Sequence, residues 1–216
     1  MIRKLLLLVL VGLVALFVIG DVAAKHFAES AIADQIHAHV KGIGTVNASI
    51  HSFPFVGRLV VQGKVSRLDL TLTDVTGHGI DVARLDVDAN DIELDRSALV
   101  GSDSAKINGI GSMTVTATIS EATVRALAHA DVHLLDGRAT VTVAGQTLDA
   151  TATAENGHLR LAAAKGPAIT VPVPDASLLP CQIVVAIKPG ALRLSCTATT
   201  LPQLVIDAIG GVDLRH

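Results

Sequence analysis

The pattern of apolar and polar residues changes twice along this chain, and each section predicts a different element. Leu5–Gly20 is an uninterrupted apolar run. In Val22–Val40 the apolar residues recur every three to four positions, which predicts an amphipathic helix. From Thr45 onward apolar and polar residues alternate, and this alternation predicts antiparallel strands with one apolar face and one polar face.

Turn signals separate the predicted strands and indicate hairpins. They are found at Thr76–Gly79, Asp136-Gly137, Ala144-Gly145 and Asn156-Gly157, and the last is the strongest of them. The run Leu59–Val75 is predicted to be one long strand. The strands are therefore expected to form one long, curved antiparallel sheet.

Helices complete the prediction of an α+β fold with a single folded domain. Ser120 is expected to cap a short helix that runs to about His129, and another short helix is expected to start near Thr200. The apolar stripe of Val22–Val40 needs a partner, so we expect that helix to pack on the concave face of the sheet and the sheet to wrap around it.

The N-terminal run has the pattern of an export segment. Arg3 and Lys4 precede it, and the small residues at Ala23-Ala24 offer a site for a signal peptidase. The run is slightly shorter than the roughly 20 residues of a comfortable bilayer span. A cleaved signal peptide and an uncleaved anchor both remain open. We assign residues 1–21 to this segment and 22–216 to one domain, in the periplasmic space or on the outer face of the cytoplasmic membrane.

Composition and charge argue against several classes of function. The net charge of −3 gives no basic excess for nucleic acid, and the four Phe, with no Tyr or Trp, offer few rings for base stacking. The nine His are scattered without a metal-binding spacing, and no GxSxG motif is present. We therefore predict no catalytic residue, no metal, no cofactor and no enzymatic activity.

The two cysteines predict a disulfide bond. Cys181 and Cys196 lie on either side of a turn signal at Pro189-Gly190, and the segments flanking that turn have strand patterns. A hairpin would bring the two sulfur atoms together, and an exported compartment would oxidise them. The alternative is two free, buried thiols.

The apolar face of the predicted sheet is aliphatic and poor in rings. A well-packed core usually contains large aromatic side chains, so this texture favours a groove for lipid acyl chains over a solid core. Small residues that let helix and sheet approach closely are the alternative. The predicted lipid contacts are Phe27, Ile32, Ile36, Phe53, Phe55, Leu68, Leu70, Leu72, Leu85, Val87 and Val115.

The segment Ser52-Phe53-Pro54-Phe55 predicts a stiff apolar corner, because proline restricts both itself and the residue before it. The rings either form a lip at the mouth of the groove or at a membrane surface, or they plug the space between sheet and helix. Arg58, Lys64 and Arg67 follow, and we predict that they contact a lipid headgroup.

Together these features resemble the LmeA-like phospholipid-binding proteins of actinobacterial cell envelopes. The resemblance rests on the N-terminal segment, the Ala-rich helix, the Ser52–Phe55 corner, the strand run Leu59–Val75 and two segments near the end, Leu179-Pro180-Cys181 and Leu194-Ser195-Cys196. It implies an exported protein that binds phospholipid or a related envelope lipid beside the cytoplasmic membrane. It also implies a fold similar to tubular lipid-binding proteins and a role in mannan or lipomannan assembly with glycan biosynthesis proteins.

The residues themselves leave a second function open. A non-enzymatic scaffold or partner protein in envelope biosynthesis, with a dry core, would show the same alternation of apolar and polar positions.

Overall fold

A computed structural model of the protein describes residues 2–40, 42–77, 80–95, 107–143, 145–155, 158–163, 169–172 and 181–199. The helices are α1 (Ile2–His39), α2 (Phe55–Gln62) and α3 (Glu121–Ala128). The strands are β1 (Val46–Ile50), β2 (Lys64–Gly77), β3 (Ile80–Leu94), β4 (Ile107–Ser120), β5 (Asp131–Leu134), β6 (Ala139–Val143), β7 (Gln146–Glu155), β8 (His158–Ala163), β9 (Ile169–Pro172), β10 (Val184–Lys188) and β11 (Ala191–Ala198).

The α+β class and the antiparallel pairing are confirmed, but the strands form two sheets where we expected one. A six-stranded sheet has the order β1-β2-β3-β4-β11-β10, and a five-stranded sheet has the order β5-β6-β7-β8-β9. The chain leaves the first sheet through α3, builds the second as a series of hairpins, and returns with β10 and β11 to pair with β4. The alternation of apolar and polar residues indicates which side chains share one face of a strand, but not which strands pair. It therefore could not predict the division into two sheets.

The predicted hairpins agree with the observed strand pairing. Leu134 pairs with Ala139 across Asp136-Gly137, and Glu155 pairs with His158 across Asn156-Gly157. The predicted α3 is also confirmed, because Ser120 Oγ accepts a hydrogen bond from the Thr123 N–H at 3.1 Å and so caps the helix.

The prediction of a strand over Leu59–Val75 is wrong at its start. The segment Phe55–Gln62 is helical, and Gly63, with a φ of +66°, ends this helix before β2 begins at Lys64. Val60 and Val61 have β-favouring side chains, but tertiary contacts of Phe55 and Leu59 determine the local structure. The second predicted short helix, near Thr200, lies outside the described residues.

One continuous helix, α1, joins the N-terminal apolar run to the predicted amphipathic helix. Within the described residues, none of the helices combines the length and the hydropathy of a membrane span. Contacts of α1 with β1 and α2 hold its second half against one end of the six-stranded sheet. Wrapping of the sheet around the helix stays a prediction.

Two separate hydrophobic cores lie at opposite ends of the long strands. The α1–α2 core is formed by Ala24, Ala28 and Ile32 of α1, Phe55, Val56 and Leu59 of α2, and Ile50, Val65, Leu68, Ala89, Ile92, Leu94, Ile107 and Ile110. The larger intersheet core joins α3 and the five-stranded sheet to the far end of the six-stranded sheet. Its most deeply buried side chains are Val124, Val132, Leu134, Ala139, Leu159, Leu161 and Leu192.

The alternation on β2 and β3 is interrupted at two matched places. The apolar positions of β2 are Val65, Leu68, Leu70, Leu72 and Val75, and each pairs with an apolar residue of β3. The steps from 65 to 68 and from 72 to 75 are three residues long instead of two. At these steps Asp91 of β3 and Asp74 of β2 take positive φ angles of +52° and +51°. The apolar face therefore continues along the whole length of both strands.

Candidate functional site

The candidate site lies on the apolar face of the six-stranded sheet, between the two cores. Leu70, Val87 and Val115 are direct neighbours on β2, β3 and β4. The same row continues to Ala48 on β1 and Cys196 on β11. These five positions form an aliphatic row across five adjacent strands, which spans about 19 Å from β1 to β11 at the usual separation between strands.

The side chains in the middle of this face are only half-buried, although both ends of the face are covered by the cores. The half-buried residues are Leu70, Leu85, Val87, Met113 and Val115, and none of them belongs to either core. We call this set the open section. The α1–α2 core bounds it at one end of the strands, and the intersheet core bounds it at the other.

Four of the eleven predicted lipid contacts, Leu70, Leu85, Val87 and Val115, lie in the open section. Leu68 and Leu72 are the next apolar positions on β2, toward the α1–α2 core and toward the intersheet core. Sequence reasoning did not select Met113. Its place in the alternation of β4 was visible, but its pairing with Ala89 depends on a register that the sequence does not state.

The remaining predicted contacts lie near α1 and α2. Ile32 and Phe55 are part of the α1–α2 core, and Ile36 is half-buried on α1. Phe27 and Phe53 are exposed, at 77% and 65%. The two rings of the Phe-Pro-Phe corner thus differ: Phe55 fills the space between helix and sheet, and Phe53 projects outward.

The three predicted headgroup cations differ in how their charge is balanced. Lys64 Nζ lies 2.6 Å from Glu93 Oε1, and this hydrogen bond and the charge of Glu93 raise the pKa of Lys64. Arg67 pairs with Asp69 at 2.7 Å and with Asp88 at 2.5 Å.

Arg67 alternates with Leu68 and so lies on the polar face, opposite the open section. Arg58 contacts the hydroxyl of Ser66, and no ion pair of Arg58 with a carboxylate is found among the described residues. Arg58 is therefore the best placed of the three to meet an external anion.

Asp21 joins α1 to α2 and was not recognised as a functional position from the sequence. Its side chain is only 4% exposed. Its Oδ2 accepts the Phe55 N–H at 2.8 Å and its Oδ1 accepts the Val56 N–H at 2.7 Å. The Asp21 carboxylate thus satisfies free N–H groups at the start of α2, where Pro54 offers no side-chain cap. A single acid at the end of an apolar run was the only signal in the sequence.

The predicted disulfide is confirmed between Cys181 and Cys196, whose Cα atoms are 5.7 Å apart. The turn Pro189-Gly190 joins β10 to β11 as expected. Cys196 is the β11 member of the aliphatic row. The disulfide therefore ties the segment before β10 to the β11 end of the candidate site.

Comparison with protein families places this arrangement in context. A family model described as LmeA-like phospholipid-binding matches residues 19–195. Neither the curated proteins nor the solved structures gave a match. The matched range includes the second half of α1, both cores and the open section.

Proposed function

Because the chain belongs to the LmeA-like phospholipid-binding family, we propose that it binds a phospholipid or related envelope lipid with its acyl chains laid across the open section. The observation that carries this proposal is the half-burial of Leu70, Val87 and Val115 between two fully buried cores. An acyl chain on these side chains would remove both surfaces from water, at about 0.8 kcal/mol per buried methylene.

The open section presents an apolar surface that suits a hydrocarbon chain. Its branched residues Leu70, Val87 and Val115 have no polar side-chain atoms and are neighbours on three adjacent strands. They lie in the middle of the aliphatic row, which spans about 19 Å from β1 to the buried Cys196 on β11. The polar groups of the same strands, such as Asp86 and Thr116, alternate onto the other face. This arrangement supports binding of tails, and the described residues place no polar cluster beside them for acid–base chemistry, so we propose a binding protein and not an enzyme.

The headgroup is proposed to lie toward α2, where Arg58 offers an exposed guanidinium group. Guanidinium groups bind phosphate oxygens through two parallel hydrogen bonds. A lipid phosphate that took the place of the Ser66 hydroxyl as the partner of Arg58 would form a stronger electrostatic contact. Lys64 already forms an ion pair with Glu93, so its contribution to headgroup binding would be smaller.

Filling the open section tests the proposal directly. Val115→Phe places a ring among the half-buried side chains of β4, whereas Thr116→Phe places the same ring on the opposite face of the same strand. We expect V115F to reduce the amount of phospholipid that copurifies severalfold, measured by solvent extraction and mass spectrometry, and T116F to leave it unchanged. Equal lipid content in V115F, T116F and wild type, or none in any of them, would contradict the proposal and favour a dry scaffold.

We also propose that the protein is exported and works at the outer face of the cytoplasmic membrane, where it supports mannan or lipomannan assembly with glycan biosynthesis proteins. The apolar N-terminal run and the Cys181–Cys196 disulfide support export. Loss of mannan or lipomannan in a deletion strain, restored by wild type and not by V115F, would link the open section to this role.

A further inference from the structure

Helix α2 is apolar on both of its sides, although a surface helix normally has a polar outer face. Phe55 and Leu59 point into the α1–α2 core. On the other side Val60 is 60% exposed, and Val61 is exposed as well. Phe53, which directly precedes the helix, is exposed beside them. Helix α2 thus presents a second apolar side to the surroundings of the protein.

The neighbouring part of α1 is exposed on every side. Each residue from 14 to 20 is exposed, and these seven positions cover nearly two turns of the helix. They include Val14, Leu16, Phe17, Val18 and Ile19. A protein partner usually covers one side of a helix, whereas exposure of apolar residues all round suits the interior of a lipid layer.

Asp21 links these two apolar regions through the start of α2. It follows residue 20 directly, and its two hydrogen bonds to Phe55 and Val56 fix the first turn of α2 against α1. Because Asp21 is buried in this contact, α2 cannot move away from α1 without exposing a carboxylate and two free N–H groups.

We propose that residues 14–20 of α1 together with Phe53, Val60 and Val61 form a docking surface for a lipid bilayer. Arg58 lies on α2 next to this surface, at a place where a guanidinium group meets anionic headgroups. When this surface is docked, α2 lies at the lipid–water boundary. Its inner side packs in the α1–α2 core, and its outer side contacts the acyl chains of the bilayer. The proposal concerns the outside of the molecule and does not depend on lipid in the open section.

The absence of tryptophan from the chain allows a site-specific test. Val60→Trp and Phe53→Trp each place a single fluorescent reporter on the proposed surface. Val184→Trp is the matched control, because Val184 on β10 is 62% exposed, close to the 60% of Val60, but lies outside the surface. The full-length variants are mixed with vesicles of phosphatidylcholine and phosphatidylglycerol, with and without brominated phosphatidylcholine.

We expect the emission of V60W and F53W to shift to shorter wavelength on vesicle addition and to be quenched several times more strongly by the brominated lipid than that of V184W. Unchanged circular dichroism will verify that each variant is folded. If V60W and F53W stay at the wavelength of water-exposed tryptophan and are quenched no more than V184W, the proposal is overturned. In that case the surface would belong to a protein partner.

Discussion

At the scale of single residues, Asp21 joins two helices through one side chain. A short helix such as α2 leaves its first N–H groups without partners, and proline at its N-cap position supplies none. The Asp21 carboxylate accepts two of these groups and also places a negative charge at the positive end of the helix dipole. One side chain of α1 therefore substitutes for the missing cap of another helix.

We predict that Asp21→Ala lowers the free energy of unfolding by about 1–3 kcal/mol, because one buried and one partly buried N–H group lose their acceptor. Asp34→Ala on the same helix is the control, since Asp34 is exposed. Urea denaturation followed by circular dichroism measures both. Equal stability of D21A and D34A would mean that the two hydrogen bonds do not stabilise the fold.

Glu121 connects α3 to the second sheet and gives the protein a pH-dependent element. Glu121 Oε2 accepts the Leu134 N–H at 2.7 Å, and Oε1 pairs with Arg125 at 2.6 Å. The backbone hydrogen bond, followed by the charge of Arg125, lowers the pKa of Glu121 below its ordinary value of 4.5. A carboxyl group with a lowered pKa stabilises the folded state above its ordinary pKa and loses this effect as pH falls through the lowered value.

We therefore predict that Glu121→Gln is less stable than wild type at neutral pH and that the difference shrinks as the pH falls below about 4.5. Thermal unfolding between pH 7 and pH 3 measures it, and Asp149→Asn, at an exposed position of β7, is the control. A stability difference that stays constant over this pH range would show that the ionised carboxylate is not the stabilising form.

At the scale of elements, the three-residue steps shape the long strands. At the step near the α1–α2 core, Asp91 takes a positive φ, which aspartate tolerates better than most residues. The facing strand has Gly111 at this point, and a Cβ atom there would lie 2.9 Å from the Cβ of Asp91. Gly44 lies close to Asp74 in the same way at the other step. Each step is thus built from an aspartate and a glycine.

We predict that Gly111→Ala destabilises the protein by about 1–3 kcal/mol, because the added methyl group overpacks a rigid backbone contact. Gly109→Ala on the same strand is the control, since the nearest atom to its Cβ would be a flexible carboxylate oxygen at 4.0 Å. Urea denaturation measures both variants, and we expect G111A to unfold at a lower urea concentration than G109A. If both alanines are tolerated equally, the backbone at Asp91 has room to adjust.

At the scale of the whole molecule, the sequence predicted local features better than their assembly. Ser120, the hairpin turns and the disulfide each depend on a few neighbouring residues, and all were recognised. The division into two sheets depends on which strands pair, and alternation carries no information about that choice. The start of the predicted strand Leu59–Val75 belongs to helix α2, because a short apolar run such as Leu59-Val60-Val61 does not distinguish a strand from a helix by its pattern alone.

The candidate site shows the same limit. Leu70, Leu85, Val87 and Val115 were assigned to an apolar face from their alternation alone, and they lie on that face. Their half-burial depends on how far the two cores extend along the strands, which is a property of the packed molecule. Two residues that shape the region, Asp21 and Met113, act through partners distant in sequence, and their type alone gave no indication of a role.

The bond between Asp21 and α2 has a consequence for how the protein can be trimmed. A peptidase that cuts after Ala24, or a recombinant chain started at Lys25 to improve solubility, would discard the acceptor for two amides of the folded body. Such a shortened molecule would keep both sheets and yet hold its second helix loosely. A chain that preserves the native junction has to include Asp21, which lies at the end of the stretch that a leader peptide would occupy.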